Sequence, residues 1–232
     1  MNSRTPTRAQ PGAGSRRERK QRTRRELLEA ALLLLEEQSF SGLSLREVTR
    51  EAGVVPTAFY RHFASLEELG LVLVDESFRT LREMLRSVRS EPMRYEHVIR
   101  SSVEILVRHV HENRLHFRFI ARERFGGVGT LRQAIRSQIR LLSSELATDL
   151  ARFPYLNAWS SDDLQMVAGL YVNSMVSTAE EILDVPIDNP EVEGEIIETI
   201  EKQLRLVAVG IPHWRSAASA STRPGAARTQ GR

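Results

Sequence analysis

The chain has 232 residues, 41% of them hydrophobic and 27% charged, which is ordinary for a soluble globular protein and sufficient for a sizeable core. It contains no cysteine, which excludes disulfides, thiolate metal sites and cysteine nucleophiles, and no apolar run approaches the roughly 20 residues of a membrane-spanning helix. The net charge of +3 is small but unevenly spread: Arg16, Arg17, Arg19, Lys20, Arg22, Arg24 and Arg25 crowd one segment while Asp184 to Glu201 carries acids only, so the N-terminal part is the one suited to a polyanion.

Residues 1–15 and 215–232 are rich in Ser, Ala, Gly, Pro and Arg and read as disordered tails. The first of them also lacks the apolar stretch of a secretory signal, so a cytoplasmic location is expected. Between the tails apolar residues recur with the helical period and nothing alternates with period two, which predicts an all-α fold. The first helix spans about Arg17 to Gln38, with Leu27, Leu28, Ala31, Leu32, Leu34 and Leu35 facing inward and the basic cluster at its front. Cations there oppose the helix dipole, which points to an outside source of negative charge.

Ser44 and Glu47 read as a capping box that opens a short helix ending before Gly53, where a left-handed turn is required. Pro56 suits the first turn of a third short helix reaching His62 and Phe63, and Ser65 with Glu68 forms a second capping box. Further helices are predicted at about 66–89, 95–111, 114–124, 130–152, 161–184 and 191–210, separated by Pro92, Gly126-Gly127, Phe153-Pro154, and Pro186 with Pro190. These boundaries divide the chain between its tails into an N-terminal segment at 16–64 and a larger helical body at 65–214. Val167, Leu170, Ser174, Thr178 and Ile182, with Ile196, Ile197, Ile200, Leu204 and Val207, form two stripes that either pair two subunits or serve as core within one chain.

Two short helices joined by a glycine turn have the spacing of a helix-turn-helix, although a helical hairpin without a DNA role has the same outline. The second carries Thr57, Ala58, Tyr60, Arg61 and His62 on its reading side, while Phe59 and Phe63, four apart, anchor it. Arg22, Ser44 and Arg46 complete the expected DNA-binding set, the arginines on phosphates. His111-Glu112 is followed by Leu115 where a zinc-protease helix needs its second histidine, so His109, His111 and His116 are expected on helix surfaces or in interhelical hydrogen bonds. Gly126-Gly127-Val128-Gly129 follows a helix rather than a strand and reads as a helix break, and no nucleophile elbow is present. No catalytic constellation, metal site or cofactor is expected.

The run Leu43-Ser44-Leu45-Arg46-Glu47-Val48, then Ala52-Gly53-Val54, Phe59-Tyr60-Arg61-His62-Phe63 and Ser65-Leu66-Glu67-Glu68-Leu69 closely resembles the DNA-binding region of TetR-family repressors. The resemblance implies a three-helix DNA-binding domain, a connecting fourth helix and a divergent helical ligand domain that forms a homodimer on double-stranded operator DNA. Many members carry a lysine after the serine opening the fourth helix, where this chain has Leu66. Its phosphate contact would then pass to backbone N–H groups of that helix start or to the N-terminal arginines. The longer stretch Ser44 to Ser77, with Phe117-Arg118 and Arg122-Glu123-Arg124, resembles the FabR and DesT type, which governs unsaturated fatty acid genes and senses long-chain acyl-CoA. That implies an acyl tail among Met84, Phe117, Met166, Tyr171 and Met175, with Arg118 and Arg122 at the coenzyme A phosphates. The competing class is a helical lipid- or acyl-carrier-binding module without DNA binding.

Overall fold

The computed structural model describes residues 13–89, 95–186 and 189–216, with side chains for 16–79, 81, 82, 98–186 and 189–216. Among them are nine α-helices and two 3₁₀ turns and no strand: α1 (Ala13–Glu37), α2 (Leu45–Glu51), α3 (Pro56–Phe59), α4 (Leu66–Arg89), α5 (Tyr95–Glu112), α6 (Arg114–Glu123), α7 (Gly129–Leu150), α8 (Ser161–Asp184) and α9 (Pro190–Gly210). The 3₁₀ turns are Phe40–Gly42 and Ile211–His213. The all-α expectation holds, because the proline and glycine stops are local signals that tertiary packing did not override. No helix among the described residues is long and apolar enough to cross a membrane. Helix α1 includes Ala13 and so extends further towards the N-terminus than the expected Arg17. The remainder of both predicted tails, 1–12 and 217–232, lies outside the described residues.

The chain divides into two compact units, the boundaries falling inside α4 after Thr80 and inside α7 after Ile135. One unit comprises residues up to 80 with 113–135, so α6 and the start of α7 share a core with the helix-turn-helix. That core holds Leu27, Leu28, Ala31 and Leu35 of α1, Phe40, Val48, Phe59, Phe63, Leu69 and Leu73, all under a tenth exposed. Gly70 is required by a close approach: a Cβ there would lie 2.6 Å from Phe40 Cζ.

The other unit comprises residues 81–112 and 136 onwards. Here α5 buries Ile99, Val103, Leu106 and Val110, at helical spacing, against α8 and α9. A second cluster of Ala147, Leu156, Leu164 and Ala168, with Trp159 and Ile211 against it, pins the α7–α8 connection. Ser160 caps α8 by accepting the Asp163 N–H, and Ser216 donates to the same Asp163 carboxylate, anchoring the chain just past α9.

Half of the residues in the two stripes read from sequence are core within one chain. Val167, Thr178, Ile182, Ile200 and Leu204 are buried, and Thr178 spends its hydroxyl on the Ser174 carbonyl at 2.9 Å. Leu170 of the first stripe instead faces outward, as do Met166 on α8, Val192, Leu206 and Val209 on α9, and Trp214, none of which the stripes included.

Candidate DNA-binding interface

The entry to α2 is built as its sequence requires. Ser44 Oγ accepts the Glu47 N–H at 3.3 Å, and Glu47 Oε2 accepts from the Ser44 N–H at 2.9 Å and from its hydroxyl at 2.7 Å. These bonds hold the Glu47 carboxyl below the usual carboxylate range. They also commit the Ser44 hydroxyl, a candidate DNA ligand, to the cap. At the other end the Gly53 N–H bonds the Arg50 carbonyl at 3.1 Å and the Val54 N–H bonds that of Thr49 at 2.9 Å, with Gly53 at φ +66°. This is the Schellman pattern, and the left-handed residue turns the chain sharply from α2 into α3.

Pro56 occupies the first turn of α3, whose helix ends at Phe59; tight turns carry the chain on to Phe63, with the His62 N–H on the Phe59 carbonyl at 2.8 Å. Phe59 and Phe63 are buried with their rings 5.5 Å apart, as expected of the anchoring face. The opposite face presents Thr57, Tyr60 and Arg61 to solvent, with Ala58 and His62 half-buried. Tyr60 and Val55 are each 63% exposed, large for apolar side chains held on a buried scaffold. Val55, which precedes Pro56, is marked only by this exposure beside Thr57. Such a surface of methyl, hydroxyl and phenol groups suits a thymine methyl and base edges in a major groove.

The basic segment of α1 turns most of its charge outward. Arg16, Arg17, Arg19, Lys20, Arg22 and Arg25 are exposed, Arg22 pairing with Glu26 four residues on at 2.9 Å, and Arg46 at the start of α2 is exposed too. Arg24 alone is half-buried: its Nη1 donates to the His62 carbonyl at 3.0 Å and its guanidinium lies 4.4 Å over the Phe63 ring. The structure thus brings Lys20, Arg24, Arg61 and His62 together. Burial, then the charges of Lys20, Arg24 and Arg61, pushes the His62 imidazole below its ordinary pKa, and its buried Nδ1 has no hydrogen-bond partner.

Residues 27–71 match the model of bacterial regulatory proteins of the tetR family, and residues 95–210 match the tetracyclin repressor-like C-terminal domain. The chain belongs to the tetR family. Members are transcription regulators, not enzymes, and this tetR-family protein is one of them. Solved structures share its fold at low identity. One is AibR in complex with isovaleryl coenzyme A and operator DNA, at 15% identity and TM-score 0.61, covering 78% of this chain and 97% of that one. Another is the transcriptional regulator FadR from Bacillus subtilis in complex with stearoyl-CoA, at 12% identity and TM-score 0.62, covering 80% and 97%. A third is the fatty acid degradation regulator FadR from Bacillus halodurans, at 11% and 0.58, covering 82% and 94%.

The residues that the sequence resemblance placed at a ligand divide between the two units of this tetR-family chain. Phe117, half-buried, shares α6 with Arg118 and Arg122. Both arginines reach the C-terminal end of α1: Arg118 pairs with Glu36 at 2.8 Å, and Arg122 donates to the carbonyls of Leu35 at 3.0 Å and Gln38 at 2.9 Å. Beside them Glu123, 1% exposed, accepts the Phe40 N–H at 2.8 Å. In the other unit Tyr171 donates to the Leu204 carbonyl at 3.2 Å, Met175 is half-buried, and Met166, 41% exposed, lies on the outward face with Leu170. The side chain of Met84 lies outside the described residues. Two of the three histidines bond between helices: His111 Nε2 lies 2.8 Å from Glu193 Oε2, and His116 Nδ1 lies 2.8 Å from Ser77 Oγ, whereas His109 Nδ1 lies 3.1 Å from the Ile105 carbonyl of its own helix.

Proposed function

We propose that this regulator is a repressor, a cytoplasmic homodimer that reads an operator through Thr57, Tyr60, Arg61 and His62 and responds to a long-chain acyl-CoA, with unsaturated fatty acid genes as its targets. The observation that carries the DNA part is the exposed face of α3, with Tyr60 63% exposed, above the buried Phe59 and Phe63 and beside the cations of α1. Arg22, Arg46 and the exposed arginines of α1 supply phosphate contacts, and the α3 face supplies the sequence preference. Two subunits meet through Met166, Leu170, Leu206 and Val209, apolar groups that stand open to solvent on α8 and α9.

The ligand part draws support from the sequence likeness to acyl-CoA sensors and from the coenzyme A esters in the AibR and Bacillus subtilis FadR structures. Arg118 and Arg122 already use their guanidiniums on Glu36 and on the last carbonyls of α1. Phosphates arriving there compete with those acceptors, so the ligand loosens the end of α1 and lowers operator affinity. Its effect equals its differential affinity for the DNA-competent and incompetent arrangements.

The test measures binding to a duplex enriched from a randomised library by the full chain, with and without oleoyl- and palmitoyl-CoA. Tyr60→Ala is expected to weaken that duplex by about 1–3 kcal/mol with the fold intact. An unchanged affinity moves the reading surface elsewhere. Absence of any response to either thioester, with no calorimetric heat, removes the ligand while leaving the regulator.

A further inference from the structure

We infer that Arg24 is a positioning residue for operator recognition: it holds the recognition turn to α1 and does not itself neutralise a DNA phosphate. The inference rests on the operator reading above. Six neighbouring cations of α1 are exposed, whereas Arg24 is turned inward and already doubly engaged. Its Nη1 donates to the His62 carbonyl at 3.0 Å, and its guanidinium stacks 4.4 Å from the centre of Phe63, a ring only 1% exposed.

The recognition helix needs such a support. At four residues, Pro56–Phe59, α3 is far below the length at which a helix sustains its own direction. Past its end the chain turns through Tyr60, Arg61 and His62, where carbonyl groups lack helical partners. A guanidinium on the His62 carbonyl satisfies one of these, and its charge complements the negative end of the helix. Tyr60 and Arg61 immediately precede His62, so the contact that fixes the His62 peptide also fixes the direction of both reading side chains. Phe63 continues into the core against Phe59 at 5.5 Å, which makes the stack a rigid reference.

The planar fork of arginine is what permits an edge-on hydrogen bond and a face-on stack at once; a lysine ammonium on a flexible stem does not reproduce both. Loss of the fork therefore misdirects Tyr60 and Arg61 while leaving the outward cations in place. Attraction to DNA of any sequence persists, and discrimination between sequences falls.

The experiment uses the full chain, the duplex enriched by the wild type, and a scrambled duplex of equal length and composition, each over a salt series at a temperature where thermal unfolding shows every variant folded. Arg24→Ala and Arg24→Lys are both expected to weaken the enriched duplex about tenfold, the order of one charge-assisted hydrogen bond. The scrambled duplex should change by less than about twofold, and the slope of log K against log salt should stay the same. A purely structural role would lower the unfolding temperature without changing the ratio between the duplexes, and so would overturn the inference. It is also overturned if Arg24→Lys binds as the wild type while Arg24→Ala loses about 0.9 of slope, the signature of a lost phosphate contact. Should Arg24→Ala not fold, Arg24→Lys, which keeps stem and charge, carries the same comparison. A wild-type chain that enriches no sequence removes the operator reading and this inference with it.

Discussion

Ser77 sets the tautomer of His116. Its hydroxyl donates to the Leu73 carbonyl at 2.7 Å, so its oxygen accepts the Nδ1–H of the imidazole at 2.8 Å. Burial pushes the His116 pKa below its ordinary value, the nearby Glu76 pulling the other way. The unfolded chain therefore takes up a proton near the ordinary histidine pKa of about 6.5 while the folded chain resists it. Stability from this group is full above that pH and declines as pH falls through it, and His62, shifted the same way, adds to the decline. Urea unfolding at pH 7.5 and 5.5 should show a smaller acid loss in His116→Gln than in the wild type; equal losses would place the titration elsewhere. Gly70 gives a second residue-scale test. Its absent Cβ leaves room for the Phe40 ring, so Gly70→Ala is expected to cost about 1–3 kcal/mol by overpacking, measured by chemical denaturation.

At the scale of elements, α6 acts as a clasp on α1. Arg118, Arg122 and Glu123 lie on one short helix and engage Glu36, the carbonyls of Leu35 and Gln38, and the Phe40 N–H in the turn that follows. The two carbonyls are groups that the end of a helix leaves unsatisfied, and all four partners are met by side chains from 82 to 87 residues away. Glu123→Ala leaves the buried Phe40 N–H without its acceptor and should lower stability by about 1–3 kcal/mol in urea unfolding. A change within error would mean that water replaces the carboxylate. The same clasp ties α6 to the helix that carries the basic arm.

For the whole molecule the open question is what covers the outward apolar face of α8 and α9. Leu206 is 75% exposed and Val209 67%, three apart on α9, and Leu170 of α8 is 49% exposed, apolar side chains that a partner surface would cover. Sedimentation at micromolar concentration should give a dimer, and Leu206→Glu with Val209→Glu should give a folded monomer, because both side chains stand outside the core of their own chain. A monomeric wild type would leave the face to another partner. Dimerisation also bears on recognition, since two linked reading helices must match two half-sites at once.

The amino-acid sequence by itself determined what local chemistry controls: the capping box at Ser44 and Glu47, the left-handed Gly53, the start of α3 at Pro56, helix limits at Pro and Gly, and the inward Phe59 and Phe63. Each depends on neighbours within a few positions, so it survives without knowledge of the rest of the chain. Even there one bond differs: Ser65 Oγ accepts the Glu68 N–H as the capping box requires, but the Glu68 carboxylate accepts the Ala64 N–H, one residue before Ser65. Only the tertiary structure decided the questions that involve distant partners. It turned Arg24 inward among outward arginines, because a carbonyl 38 residues away lies within its reach. It drew Arg118 and Arg122 onto α1, and it assigned Val167 to the core and its neighbour Met166 to the surface. Helical periodicity locates an apolar stripe but is too coarse, at about 100° per residue, to say which margin of the stripe meets its own chain and which is left for a partner.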